Sequence, residues 1–210
     1  MTPRWLEHLA AQSHPGVRRA PLKPPPANGP LRVERWQIPP ELRLRDQWAA
    51  WHYEQGPTGS WSKPPYNPRT GERAEPGDPE TWSSFDEALE AYLSGATPAS
   101  GGRPYDGVSF ALSPTGGLVG IDLDHVSEHP REAQMITRAL NSYAEYSPSR
   151  DGIRLFVRGS LPEGRRRRDW VEMSQRRFLS VTGHRLTDAP TSISTTPRLY
   201  AVWDQWLNRG

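Results

Sequence analysis

The segment from Gly117 to Val126, GLVGIDLDHV, constrains the fold of this chain most strongly. Before His125 it is apolar except for Asp122 and Asp124, which one residue separates. A continuous apolar run is typical of a strand buried in a sheet. Side chains two positions apart on a strand point to the same face, so the two carboxylates stand side by side. Like charges this close are costly unless a cation lies between them, so the segment predicts a buried strand and raises the question of a cation at its end.

The composition excludes several classes of protein. None of the 210 residues is cysteine, which excludes disulfides, thiol nucleophiles and cysteine-bound zinc. Only Lys23 and Lys63 are lysines, and neither follows a glycine-rich loop, so the chain has no Walker A motif. A net charge of +2 is compatible with nucleic-acid binding but does not establish it. The chain has no apolar run that spans a bilayer and no signal peptide, so we expect a soluble cytoplasmic protein without a membrane partner.

The first part of the chain differs in composition from the rest. Residues 1–34 contain the segment HPGVRRAPLKPPPANGP, which is rich in proline, glycine and arginine and has no periodicity. This composition predicts a flexible or surface-hugging arm, with a short helix in the segment PRWLEHLAAQ. We expect one folded domain over residues 35–210.

Strands and helices alternate in the predicted domain. The strand patterns are DQWAAWHYE, GSWSKPPYNPRTGE with its turn, GVSFALS, GLVGIDLD, GIRLFVRG and RRFLSVTG. The runs GVSFALS and GLVGIDLD flank PTG, which predicts a hairpin. Helices are predicted in TWSSFDEALEAYLSG, PREAQMITRALNSYAEY and TPRLYAVWDQWLNR. This mixture predicts an α/β or α+β fold with several antiparallel neighbours.

The first helix has the clearest local signals. Ser83 and Asp86 have the spacing of an N-cap, and Gly95 follows the last turn. Phe85, Leu89 and Leu93 recur at helical spacing and predict the buried face.

A third acid lies in the segment DWVEMSQRRFLSVTG. Glu172 has apolar neighbours there and precedes a predicted strand. Asp122, Asp124 and Glu172 converging from separate strands would form an oxygen-rich site that suits Mg²⁺ or Mn²⁺. Such a site can hold two ions for in-line phosphoryl transfer. The alternative is a strand end with solvated acids.

Other segments carry groups that suit phosphate. In SPSRDGIRLFVRG, Ser147 and Ser149 lie in a turn before a strand that carries Arg154, so hydroxyls, backbone N–H groups and a guanidinium can bind phosphate oxygens. An ordinary turn with an exposed arginine is the alternative. Arg177 is favoured over its neighbour Arg176 to face the acids, because neighbours on a strand face opposite ways.

Two further basic features have functional and structural interpretations. The run Arg165, Arg166, Arg167 and Arg168 is either a solvated loop or a clamp on nucleic-acid phosphates. Lys63, between Trp61 and Tyr66, is either a surface lysine or a group that reaches a nucleotide phosphate.

These segments, in this order, resemble the archaeo-eukaryotic primase superfamily, in particular the primase-polymerases of phages and mobile elements. VGIDLDHV matches the first motif of the family, an apolar strand ending in D-x-D. SPSRDGIRLFVRG matches the second motif except that Arg154 stands where the family has histidine. VEMSQRRFLSVTG matches the third motif through Glu172. The likeness extends over residues 36–206.

The resemblance implies a fold, a reaction and a set of binding residues. The fold is a mostly antiparallel sheet of the RNA-recognition-motif type with flanking helices and a smaller N-terminal α/β unit. Asp122, Asp124 and Glu172 are then the catalytic residues and the ligands of two Mg²⁺ or Mn²⁺ ions. Ser147, Ser149, Arg154, Arg177 and Lys63 are expected to bind the NTP or dNTP substrate.

The resemblance also implies partners. Arg165 to Arg168 are expected to bind the DNA template or primer, and a replicative helicase is a further candidate partner. The expected reaction is template-directed nucleotidyl transfer by a protein that a bacterium, phage or plasmid encodes. A metal-dependent nuclease and a non-catalytic replication-origin module remain alternative interpretations of the same residues.

Overall fold

The computed structural model describes residues 25–209. They form an α+β fold of helices and mostly antiparallel sheets, which confirms the predicted class. The strands are β1 (Trp48–Trp51), β2 (Glu54–Gln55), β3 (Trp61–Ser62), β4 (Pro65–Tyr66), β5 (Gly107–Leu112), β6 (Leu118–Asp124), β7 (Ala144–Tyr146), β8 (Gly152–Arg158), β9 (Arg167–Arg168), β10 (Val171–Ser174), β11 (Arg177–Val181) and β12 (Ser194–Thr195). The helices are α1 (Pro40–Arg43), α2 (Phe85–Leu93), α3 (Pro130–Leu140) and α4 (Leu199–Trp203), which continues as a π-helix over Asp204–Asn208. Single 3₁₀ turns cover Arg35–Gln37, Pro79–Thr81 and Pro114–Gly116.

The strands form two principal sheets. The first sheet has the order β11-β5-β1-β4. The second sheet has the order β12-β8-β6-β10-β9, and β7 also pairs with β8. Every named pairing is antiparallel except that of β12 with β8. Strands β2 and β3 form a separate hairpin beside the first sheet.

The predicted hairpin of β5 and β6 is wrong, because the two strands belong to different sheets. Strand β5 pairs with β1 and β11, and β6 pairs with β8 and β10. Pro114–Gly116 form a 3₁₀ turn, and Gly117 has a left-handed φ of 67°. The link therefore carries the chain from one sheet to the other. All of β5 is buried, as is β6 up to Asp124, which explains their unbroken apolar runs.

The second sheet separates two apolar cores. On one face, Ile121, Leu123 and Leu155 pack in a cluster that includes residues of α3 and α4. On the other face, Leu118 and Phe156 join a cluster with residues of the first sheet. The sheets come close at Gly120, where an added Cβ would lie 2.4 Å from Leu112 Cδ1. Burial of apolar surface on both faces holds the central strand rigidly.

Two helix predictions need correction. Helix α2 begins after Ser84, which forms a capping box with Glu87, whereas Ser83 is buried and donates to the Trp48 carbonyl. Leu93, predicted on the buried face, is 66% exposed at the end of the helix.

The second predicted helix is shorter than expected. Helix α3 ends at Leu140 because Asn141 takes a left-handed conformation, with φ at 44°. Residues 144–146, which we predicted as helical, form strand β7.

The helix predicted near the N-terminus and most of the predicted arm lie outside the described residues. Within the described part, Leu31 N donates to the Pro148 carbonyl and Glu34 N to the Thr182 carbonyl. The boundary at residue 34 stays a prediction. No helix within residues 25–209 is long and apolar enough to cross a membrane.

Candidate active site

A row of charged side chains crosses one face of the second sheet. Asp122 lies at the centre, opposite Arg154 of β8 and opposite Glu172 of β10. The row continues to Glu145 of β7 beyond Arg154 and to Arg167 of β9 beyond Glu172. Residues opposite each other in antiparallel strands share a face, so acids and arginines that are far apart in the sequence become neighbours.

Arginine side chains lie between the three predicted metal ligands. Arg154 Nε lies 3.2 Å from Asp122 Oδ1. Arg177 reaches over from the first sheet and places Nη2 3.6 Å from Asp122 Oδ2 and Nη1 2.5 Å from Glu172 Oε1. Arg167 places Nη1 2.5 Å from Glu172 Oε2 and Nη2 2.7 Å from Asp124 Oδ2. Positive charge thus separates each carboxylate from the next.

The surroundings of Asp122 favour its ionised form. The side chain is 6% exposed, and burial alone would raise its pKa. Arg154, Arg177 and Lys63 outweigh this effect, and the pKa of Asp122 is below its ordinary value. Asp122 Oδ1 is buried and accepts no hydrogen bond within the described structure. Asp122 is therefore a carboxylate that can accept a further cation or donor.

Glu145 is a buried carboxylate that our sequence interpretation missed. It is fully buried and accepts hydrogen bonds from the Tyr143 hydroxyl and from the backbone N–H groups of Thr182 and Gly183. Burial raises the pKa of Glu145 although these hydrogen bonds act in the opposite direction. The alternation in SYAEYSPS could have indicated a strand here, but we interpreted the segment as the end of a helix.

A cavity of about 400 Å³ opens beside the charged row. Lys63, Asp122, Asp124, Arg154 and Arg177 contribute its charged lining. Its remaining walls come from the first sheet and the segment that includes β3, namely Trp51, Ser60, Trp61, Ser62, Ser109, Phe178 and Ser180. A polar cleft with charged groups on one side and aromatic groups on the other has the character of a ligand site.

Lys63 is half-buried in this cavity. Its Nζ lies 5.6 Å from the ring centroid of Trp51 and 5.7 Å from that of Tyr53, which are cation–π distances. Burial, with a smaller contribution from nearby Arg154, lowers the pKa of Lys63 to about 7. The lysine is therefore not the solvated surface group of the alternative interpretation.

The turn between β7 and β8 lies next to the Asp124 end of strand β6. Gly152, which opens β8, is opposite Asp124 in the register. The hydroxyls of Ser147 and Ser149 are 3.0 Å apart, and Arg150 has a left-handed φ of 68°. Neither serine lines the cavity.

The remaining predicted arginines differ in whether their side chains face the acids or the solvent. Arg176 is exposed, whereas Arg177 faces Asp122 and Glu172. Arg165 is exposed, and Arg168 donates from Nη1 to the Arg209 carbonyl. Arg167 points to the acids, a placement that depends on the two-residue strand β9, which sequence periodicity did not reveal.

The three acids are on one face of the sheet, and arginine side chains lie between them. Among residues 25–209, no group of three or more histidine, aspartate or glutamate side chains is arranged to hold a metal ion. The donor set nevertheless fits Mg²⁺ or Mn²⁺, because all three ligand candidates are carboxylates and Asp122 Oδ1, although ion-paired with Arg154, accepts no hydrogen bond within the described structure.

The fold and this site define an α+β protein with an acidic and basic cleft between two sheets. No family model matches the chain. A curated DNA primase-polymerase from Nitratiruptor phage NrS-1 is 33% identical over 122 residues, which are 56% of this chain. The match covers 15% of the length of that relative. The chain is therefore related to a DNA primase-polymerase, in agreement with the resemblance drawn from its motifs.

Proposed function

We propose that this chain is a nucleotidyl-transfer domain that extends or starts DNA-templated strands, as a primase, a polymerase or both. The observation that carries the proposal is the cross-strand row in which Asp122, Glu172 and Arg154 are neighbours. These residues come from the three motif segments that resemble primase-polymerases. The relationship to a phage DNA primase-polymerase supports the same function.

In this proposal, Asp122, Asp124 and Glu172 hold two divalent ions, Mg²⁺ or Mn²⁺. When bound, the ions would lower the pKa of the attacking 3′-hydroxyl and neutralise charge on the leaving pyrophosphate. The carboxylates sit on the paired strands β6 and β10, so the sheet fixes their separation. The ionised state of Asp122, which its low pKa favours, suits it to this role.

The arginines and Lys63 would hold the nucleotide. Arg154 is buried and also donates from Nη1 to the Ser180 carbonyl at 3.2 Å, which orients its guanidinium. Arg177 and Lys63 line the same cavity and add positive charge where a triphosphate needs it. Ser147 and Ser149, on the adjoining turn, would donate hydrogen bonds to phosphate oxygens.

The substitution of arginine for the family's histidine supports strong phosphate binding. A guanidinium is always protonated and can donate two parallel hydrogen bonds. Arg154 lies beside Asp122, and a histidine in its place would change its charge near physiological pH.

An extension assay tests the proposal. The protein is incubated with primed and unprimed labelled templates, with dNTPs or NTPs, and with Mg²⁺ or Mn²⁺. We expect template-dependent product with one of the cations, and no product from Asp124→Asn. Cutting of the labelled strand would assign the site to a nuclease. Metal-independent DNA binding without product would favour a non-catalytic replication-origin module.

A further inference from the structure

We infer that Arg167 is an exchangeable internal cation that couples metal loading of the acidic site to DNA binding. The inference rests on the proposed function, because it assigns divalent ions to Asp122, Asp124 and Glu172. Without the ions, Arg167 neutralises two of the ligands. When ions load, Arg167 leaves the ligands and becomes available to nucleic-acid phosphate.

The first support is that Arg167 bridges two predicted ligands. Its Nη1 contacts Glu172 Oε2 at 2.5 Å, and its Nη2 contacts Asp124 Oδ2 at 2.7 Å. A metal ion shared by these acids would need the same oxygen lone pairs. Guanidinium and metal therefore compete for one site.

The second support is that Arg167 is held differently from the other two arginines. Arg154 also donates to the Ser180 carbonyl, and Arg177 also donates from Nε to the Phe178 carbonyl. Arg167 Nε has no hydrogen-bond partner within the described structure, and Nη1 and Nη2 donate to Glu172 and Asp124. Once the acids bind an ion, no other hydrogen bond of the described structure retains this guanidinium.

The third support is the position of Arg167 in the fold. Strand β9 has two residues and forms the edge of the second sheet, and the Arg167 side chain is 22% exposed there. Arg165 and Arg166 precede it, so a released Arg167 would join an existing basic run. A basic run beside a nucleotide site suits the phosphates of a template or primer.

Coupling of this kind has measurable consequences. A metal can bind only when the arginine has left the acids. Its apparent affinity is therefore the intrinsic affinity multiplied by the fraction of protein in which the arginine is displaced. Metal binding in turn releases a cation for DNA, so metal and DNA should strengthen each other's binding by the same factor.

The test measures Mn²⁺ affinity by electron paramagnetic resonance and DNA affinity by fluorescence anisotropy, without nucleotide. Arg167→Gln should bind Mn²⁺ about tenfold tighter than wild type, because the competing charged hydrogen bonds are gone. Arg167→Lys should approach the same affinity, since a compact ammonium cannot form the two-pronged bridge. Arg176→Gln makes the same charge change at an exposed neighbouring position and should match wild type.

The DNA measurement distinguishes release of Arg167 by metal from a general effect of the lost positive charge on DNA binding. Without metal, Arg167→Gln should bind single-stranded DNA as wild type does, because Arg167 is then engaged by the acids. With Mg²⁺, wild type should bind several-fold tighter than Arg167→Gln. Equal DNA affinity of the two proteins under both conditions would overturn the inference.

The outcomes also distinguish this inference from the proposed function. Wild-type Mn²⁺ affinity in Arg167→Gln, or in Arg167→Lys alone, would overturn the exchange and leave the metal site intact. If wild type binds no Mn²⁺, or if Asp124→Asn binds it equally well, the metal site itself fails and the inference fails with it.

Discussion

Asp122 and Glu172 lie directly opposite each other on adjacent antiparallel strands, and the Arg177 guanidinium contacts both carboxylates. Two like charges in this position destabilise a sheet unless an opposite charge lies between them. Arg177 comes from the first sheet, so the contact also joins the two sheets across the cleft. The site is therefore assembled by the packing of two sheets.

Changing Asp122 to Asn should destabilise the metal-free protein. Loss of one acid from an isolated cluster of like charges would instead stabilise a protein. The structure reverses the expected sign, because Asp122 pairs with the buried Arg154 and with Arg177. Removing one partner of a buried ion pair costs about 3 kcal/mol.

Chemical denaturation measures this change, with the exposed Asp188→Asn as the control. The low pKa of Asp122 adds a dependence on pH. Ionisation of Asp122 stabilises the fold above its unfolded pKa near 3.8, and this contribution is lost as the pH falls through the lower folded pKa. An Asp122→Asn protein as stable as wild type at pH 7 would show that the pair contributes nothing.

Changing Arg154 to Ala should raise the nucleotide KM and lower kcat. Removal of one charged donor from such a site costs about 2–4 kcal/mol of transition-state stabilisation. Arg154→His should restore part of the activity, more at pH 6 than at pH 8, because histidine is charged only at the lower pH. Primer-extension kinetics below the melting temperature of each variant measure the effect. Wild-type kinetics in Arg154→Ala would remove this residue from nucleotide binding.

Changing Lys63 to Met should alter the dependence of stability on pH. The pKa of Lys63 falls from 10.5 to about 7 on folding. Between these values the unfolded chain binds a proton that the folded protein does not, so this lysine increasingly destabilises the fold as the pH falls from 10.5 towards 7. We expect Lys63→Met to gain about 3.5 kcal/mol relative to wild type between pH 10 and pH 7. A constant difference across this range would contradict the buried position of the ammonium.

Neutralising Arg165, Arg166 and Arg168 should weaken DNA binding and flatten its dependence on salt. Each lost phosphate contact on single-stranded DNA lowers the logarithmic salt slope by about 0.7. The control is Arg131→Gln with Arg138→Gln, two exposed arginines on α3 outside the site. Fluorescence anisotropy over a range of salt concentrations measures both slopes. If the variant at Arg165, Arg166 and Arg168 had the same salt slope as the control, the arginine run would be a solvated loop.

Local sequence was sufficient for the parts of the site that depend on strand alternation. The spacing of Asp122 and Asp124 predicts a shared face, and alternation predicts that only one of Arg176 and Arg177 faces the acids. In the structure, both aspartates lie on the face of the charged row, and Arg177 is the arginine that contacts it.

Strand pairing could not be predicted from local sequence. The runs of β5 and β6 are separated by a short link, yet they belong to different sheets because their partners are distant in sequence. The contact of Arg167 with Asp124 depends on the pairing of β9 with β10. A strand of two residues shows no periodicity from which that pairing could be predicted. The neighbours of Glu145 come from β8 and from residues 182–183, so its burial is a property of the assembled fold.

The most direct test of the proposed site is single-nucleotide incorporation on a primed template by Glu172→Gln and Glu163→Gln. Both variants lose one negative charge, but Glu172 is opposite Asp122 in the sheet and Glu163 is exposed. If the three carboxylates act together, Glu172→Gln should lower the incorporation rate by at least about 100-fold while it remains folded. Glu163→Gln should incorporate nucleotide at the wild-type rate. Comparable incorporation by wild type and Glu172→Gln would contradict the assignment of this cleft as the nucleotidyl-transfer site.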